Sequence, residues 1–238
     1  MRIRAKIAKN EILRFISHLD FAGVLEKAVR RAKLPLELSR GYTPRLKISY
    51  ASALAMGTTS EAEYADFYLR ERMPVTEFVR RLNGQLPGGI KVITASQVAA
   101  NAPSLMAQIR AASYWVTAEL LQSSPEQLEQ EWEQFLQQDK IIITKTTKRR
   151  TRQIDIVPLI LATRFYPGPK SSSWDLLVAS GSAGNLRPEE LLEAFFAHSG
   201  FAGKIDRIHR TGLFIERFGQ LMSPLARLRP AEELGEGL

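Results

Sequence analysis

The chain has 238 residues, 45% of them hydrophobic, which is enough for one large domain or two small ones. It contains no cysteine, which excludes disulfides, thiolate zinc sites, cysteine nucleophiles and cysteine-held iron–sulfur clusters, and is in keeping with a reducing cytoplasm. The formal charge of +8 equals the excess in residues 1–50 alone, where twelve Lys/Arg stand against four acids, and a clustered excess of this kind favours polyanions.

Taken in chain order, the pattern predicts a first strand over 2–8, with Ile3, Ala5 and Ile7 alternating against Arg2, Arg4 and Lys6. A strand over 12–16 and a helix over about 18–33 follow, then strands over 45–51 and 62–70. A helix over 74–84, opened by Pro74 and closed by Asn83-Gly84, leads to a strand over 89–97. Residues 99–112 read as a linker. The second half predicts a strand over 113–121, a helix over 125–138 opened by Ser124-Pro125-Glu126-Gln127, a hairpin over 140–147 and 150–156, a strand over 173–180, a helix over 187–198 and a strand over 205–216. Residues 219–238 read as a tail without a regular pattern. No apolar run is long enough to cross a membrane, and the basic N-terminus lacks the apolar core of a secretory signal, so a cytoplasmic location is expected.

Without the extra hairpin, each half has the order β-α-β-β-α-β of the ferredoxin-like unit. The expected fold is therefore α+β: two tandem ferredoxin-like domains, 1–98 and 113–218, with an added basic β-hairpin. Such tandems resemble the CRISPR repeat-processing endonucleases and related RNA-binding proteins. That resemblance is architectural and implies an RNA ligand only by analogy.

The sharpest local motif is Ser17-His18-Leu19-Asp20. Its Ser and Asp have the spacing of a capping box that opens the first helix. His18 is not needed for capping. At a helix start it is placed to contact a phosphate, or alternatively to act as a general base in a metal-independent endoribonuclease. On the first helix, Phe21, Leu25, Ala28, Val29 and Ala32 share one side, with Lys27, Arg30 and Arg31 opposite. Arg40, Arg45 and Lys47 follow, and Tyr42 stands among them, the pairing of ring and cations that base stacking with phosphate contact requires. A second cluster, Lys145, Lys148, Arg149, Arg150 and Arg152, occupies the tip of the second-half hairpin, where a basic arm can follow a phosphate backbone. These thirteen residues, His18 and Tyr42 included, make up the expected nucleic-acid interface. Glu61, Glu63 and Asp66 read as surface charge on a strand. No metal-ligand spacing, Walker loop or dinucleotide fingerprint is present, so no cofactor or metal is expected.

The N-terminal hundred residues carry a further signal. Phe15-Ile16-Ser17-His18-Leu19-Asp20, Arg30-Arg31-Ala32, Leu34-Pro35, Ser39, Gly41-Tyr42, Pro44, Lys47-Ile48-Ser49, Leu54, Met56-Gly57, Glu63-Tyr64, Asp66, Leu82-Asn83, Leu86-Pro87 and Gly89 resemble, in order and spacing, the radical-SAM-linked protein family. Asp155-Ile156-Val157-Pro158 after the second basic stretch is similar to that family as well. Where the family usually has Asn-Pro-His-Pro, this chain has Thr43-Pro44-Arg45-Leu46. The resemblance implies a protein fused to, or encoded beside, a cobalamin-binding radical SAM enzyme. Together with the charge pattern it leads to the expectation of an RNA-binding accessory protein that presents RNA to such a partner. A protein-binding adaptor without a nucleic-acid ligand is the remaining alternative.

Overall fold

A computed structural model describes residues 1–120, 124–146 and 151–226. The first half contains β1 (Arg2–Lys9), α1 (His18–Arg31), β2 (Ile48–Tyr50), β3 (Thr58–Tyr68), α2 (Val75–Asn83) and β4 (Ile90–Val98). A one-turn α3 (Leu105–Gln108) precedes β5 (Ile109–Leu120), α4 (Pro125–Leu136), β6 (Ile142–Thr146), β7 (Thr151–Asp155), β8 (Ile160–Tyr166), β9 (Ser171–Ala179), α5 (Pro188–Ser199), β10 (Gly203–Arg217) and β11 (Gln220–Met222).

The strands of the two expected domains share one nine-stranded sheet, in which β4-β1-β3 continues directly into β10-β5-β9-β8. β2 pairs with β3, and β11 pairs with β10. Every pairing is antiparallel except β3 with β10, where Thr58, Thr59 and Ser60 run parallel to Ile208, His209 and Arg210. Only β6 and β7 stand apart, as a two-stranded ribbon.

Paired residues share a face, and that parity places the helices. Ile3 and Ala5 lie opposite Phe67 and Ala65, in one core with Phe21, Leu25 and Val29 of α1 and Phe78 and Leu82 of α2. Val116 lies opposite Trp174, which meets Trp132 of α4 and Phe195 of α5 edge-on. The Glu63–Arg210 ion pair joins the two sets at 3.0 Å. The four longer helices therefore pack on the same side of the sheet. Their starts are written locally. Ser17 and Asp20 form the capping box of α1, and Ser124 with Gln127 forms that of α4.

Several expected elements differ. Residues 12–16 form no strand; Glu11–Leu13 is a 3-10 turn whose first N–H groups are met by Asn10, and Ile12 and Phe15 are exposed. The expected linker contains α3 and the first residues of β5, and the expected tail contributes β11. β8 has no counterpart among the expected elements.

The first strand brings the largest surprise in burial. Arg2 and Arg4 are each 2% exposed and Asp66 is 0% exposed, on the face away from the helices. Both guanidiniums bond the Asp66 carboxylate, Arg4 through Nε at 2.8 Å. Removing one partner of a buried pair leaves an uncompensated charge, which costs about 3–5 kcal/mol. Asp66→Asn is expected to lower the unfolding free energy by that ~3–5 kcal/mol, read from the denaturant midpoint at unchanged slope. A loss below about 1 kcal/mol would show that the backbone carbonyls around the two arginines suffice without the carboxylate.

Candidate nucleic-acid interface

The expected first-half cations are at the surface. Lys27, Arg30 and Arg31 are exposed on the solvent side of α1, and Arg40 and Arg45 are exposed on the segment that follows. That segment is a small hairpin. Ser39 N–H donates to the Arg45 carbonyl at 2.7 Å, Lys47 N–H donates to the Glu37 carbonyl at 2.8 Å, and Leu38 bridges Leu46. Its tip holds Tyr42 fully in solvent. Lys47 differs from the others, because its ammonium bonds Glu37 at 2.8 Å and lies 4.4 Å over the Tyr68 ring. Among the described residues, the other five cations have no carboxylate partner.

The second cluster is divided. Lys145 is drawn onto Glu190 of α5 at 2.7 Å, and it also donates to the Asn185 carbonyl. Arg152 is exposed on β7 and lines a cavity of about 740 Å³ with Lys145, Arg187 and the 181–185 loop. Lys148, Arg149 and Arg150 lie outside the described residues.

His18 is the first residue of α1, and it is half-buried. Its ring meets Tyr50 edge-on, with centroids 5.2 Å apart, and its Nδ1 is buried without a partner. Burial holds the imidazole below its ordinary value of 6.5, with Glu63 opposing and Arg210 and Lys9 adding to the shift. The side chain therefore stands among buried charges and apart from the exposed cations. Its neighbours Ser17 and Asp20 are bound to each other. Asp20 N–H donates to Ser17 Oγ at 3.1 Å, and the return hydrogen bonds keep the Asp20 carboxyl below its ordinary range.

Two features have no sequence-level expectation behind them. The first is a buried polar network. Glu63, which reads as surface charge, is 4% exposed and bonds Arg210, whose guanidinium also meets Tyr114 Oη, Ser52 Oγ and the Ala53 carbonyl. Lys9 is 2% exposed and donates to the Arg14 carbonyl at 3.1 Å. The second is aromatic. On the helix-free face of β5 and β8, Trp115 and Tyr166 are exposed and adjacent, with ring centroids 5.2 Å apart. They sit across β9 from each other, beside Arg164 and near Arg207 and His209. Exposed rings on an open sheet face offer stacking surfaces to unpaired bases. Alternation along β5 marks Trp115 as facing away from Val116, but nothing in the sequence tells which face of that strand is left bare.

Among the described residues, no three His, Asp or Glu side chains come together as a metal site, and no helix is long and apolar enough to cross a membrane.

The class of protein defined by these features is an α+β chain built on a large mixed sheet. Residues 2–188 match the family described as "Uncharacterized protein conserved in bacteria (DUF2344)", and the chain belongs to that family. No curated protein matches the sequence. Among solved structures, the fold is similar to one titled "Crystal Structure of a Cbf5-Nop10-Gar1 Complex", with a TM-score of 0.52 and 11% identity over 88% of this chain and 48% of that one. An archaeal box H/ACA sRNP Nop10-Cbf5 complex gives a TM-score of 0.49 at 8% identity, covering 87% of this chain and 46% of that one. The chain spans about half the length of each of these two structures.

The two half-buried histidines, His18 and His209, set a pH dependence. Burial also lowers His209, whose Nδ1 lies 2.8 Å from Thr59 Oγ1. A folded pKa below the unfolded one means that the unfolded chain binds more protons as pH falls. Stability from these groups is full above their ordinary value of 6.5 and declines as pH drops below it toward the folded values. His18→Gln is expected to flatten the fall in unfolding free energy between about pH 7 and 5.5, measured by denaturant titration at each pH. An unchanged slope would show that His18 titrates as it does in the unfolded chain.

Proposed function

We propose that the chain is an RNA-binding accessory protein that presents single-stranded RNA to a partner enzyme of the radical SAM class. The observation that carries the RNA half is the run of exposed cations without acid partners, Lys27, Arg30, Arg31, Arg40 and Arg45, around a fully exposed Tyr42. Cations hold the backbone while a ring accepts a base. The exposed Trp115–Tyr166 pair adds a second stacking surface, on the helix-free face of the sheet. The partner half rests on the family-like residues from Phe15 to Gly89. The likeness to solved structures contributes the fold alone. We further read the two halves, 1–98 and 113–218, as ferredoxin-like units merged edge to edge, because β2-β3-β1-β4 and β8-β9-β5-β10 repeat one strand order.

Cleavage by His18 has less support than binding. The imidazole lies edge-on to the half-buried Tyr50, and its Nδ1 is enclosed without a partner. Purified protein is therefore expected to leave a labelled RNA intact, with or without EDTA. Single-site cleavage that disappears in His18→Ala would make the nuclease reading correct.

The interface is tested by salt titration with a labelled single-stranded RNA. Arg30→Glu with Arg31→Glu is expected to weaken binding and to reduce the slope of log K against log salt by about 0.7 for each phosphate no longer neutralised. Trp115→Ala is expected to cost about 1–3 kcal/mol if a base stacks there, with the salt slope unchanged. Affinity and slope unchanged in both variants would return the arginines to solubility charge and leave Trp115 without a stacking role. Co-purification of a protein partner without nucleic acid would then favour the adaptor.

A further inference from the structure

The buried pair of arginines under β1 is unbalanced. Arg2 and Arg4 share the single carboxylate of Asp66, and all three side chains are at most 2% exposed. The remaining bonds go to neutral carbonyls: Ala102 and Pro103 accept from Arg2, and Pro224 accepts from Arg4. Among the described residues, one positive charge therefore stays uncompensated by any acid in contact, in a place where an isolated charge is costly. The chain segments that supply those carbonyls cross the helix-free face of the sheet at its first-half end.

Beside this pair is a cavity of about 370 Å³. It is lined by Arg4, Arg217, Ser96 and Gln108, among others, and among the described residues no carboxylate lines it. A guanidinium has five N–H donors. Arg4 spends Nε and one Nη2 donor on Asp66 and one Nη1 donor on Pro224. Two donors remain, one on each terminal nitrogen. Arg217, at the end of β10, is half-buried and has no acid partner among the described residues. Its backbone is fixed by pairing with Gln220 of β11. The site thus combines a rigid, desolvated guanidinium, a second and more accessible one and a serine hydroxyl, while the amide nitrogen of Gln108 donates to the Pro103 and Ser104 carbonyls. The volume exceeds that of a lone ion and falls in the range of small-ligand sites.

We propose that this cavity binds a phosphate group, either free or carried by a small phosphomonoester such as a mononucleotide. The planar forks of Arg4 and Arg217 match the oxygens of a phosphate. The anion supplies the negative charge that Asp66 alone does not. This site goes beyond the RNA reading and does not depend on it, because none of its residues belongs to the exposed basic surface.

The test uses the full chain and calorimetric titration with inorganic phosphate, uridine 5′-monophosphate and uridine, against sodium chloride at matched ionic strength. Saturable binding of phosphate or of the nucleotide, with none of uridine or chloride, is expected. Tighter binding of the nucleotide would identify a carried phosphate, and equal binding would identify the free ion. Arg217→Ala is expected to weaken binding about tenfold or more, the value of one charge-assisted hydrogen bond. Arg4→Ala also disturbs the Asp66 pair, so Ser96→Val, which changes the lining without touching that pair, serves as the second variant and is expected to weaken binding by a smaller factor. No saturable binding by the wild type, or binding unchanged in both Arg217→Ala and Ser96→Val, overturns the proposal.

Discussion

The two halves of the sheet are joined strand to strand by a short parallel seam. Only three residue pairs of β3 and β10 meet there, and parallel pairing is slightly the weaker kind per residue. Side chains carry the rest. Arg210 leaves β10 of the second half and bonds Glu63, Ser52 and the Ala53 carbonyl of the first, while Tyr114 of β5 holds the same guanidinium from its own side. One residue along, Thr59 and His209 meet on the opposite face. A buried ion pair adds little net stability over a well-packed apolar substitute, but losing one member strands the other. The seam is therefore better understood as a device of register than of strength. It admits a single alignment of the halves, and that alignment makes one continuous sheet.

This placement changes what the charge of the chain means. Read as sequence, residues 1–50 are a block of cations. In the fold, Arg2, Arg4 and Lys9 are buried and spent on Asp66 and on carbonyls, Arg14 is paired with Glu11, and Lys47 with Glu37. What faces a polyanion is a smaller set on α1 and the hairpin tip. The alternation in β1 correctly separates Ile3, Ala5 and Ile7 from Arg2, Arg4 and Lys6. It does not reveal that the second face is covered as well, because the covering carbonyls belong to residues about a hundred and more than two hundred positions away.

The same limit explains the other differences. Helix starts are legible because capping is local. Ser17 with Asp20, and Ser124 with Gln127, need no more than four consecutive residues. The 12–16 run reads as a strand because apolar content alone does not distinguish a strand from a turn, and here Asn10 supplies the turn bond that settles it. β8 escapes a sequence reading because Ile160–Tyr166 follows directly on Val157-Pro158 and ends at a Pro-Gly, so its apolar residues read as loop. Trp115 and Tyr166 come from strands that are neighbours only through β9, so their contact is a product of topology. The seam itself leaves no trace in the sequence, since the edge a strand presents to a partner is backbone and not side chain.

Because the four longer helices lie on one side, the other side of the sheet has to be managed strand by strand, and the two halves do so differently. Under β1 and β3, chain from the α3 approach and from the C-terminal end crosses the sheet and buries two arginines with one aspartate. Across β5, β9 and β8, no described segment crosses in the same way, and an aromatic pair remains in solvent. A strapped face can hold fixed charge out of water, and so suits a small anion held by preset donors. An open face keeps its rings accessible, and so suits a flexible ligand that brings its own bases. The division follows from the single alignment at the seam: if β3 and β10 were not joined, the sheet would end in two free edges, and neither face would be continuous enough to be divided in this way.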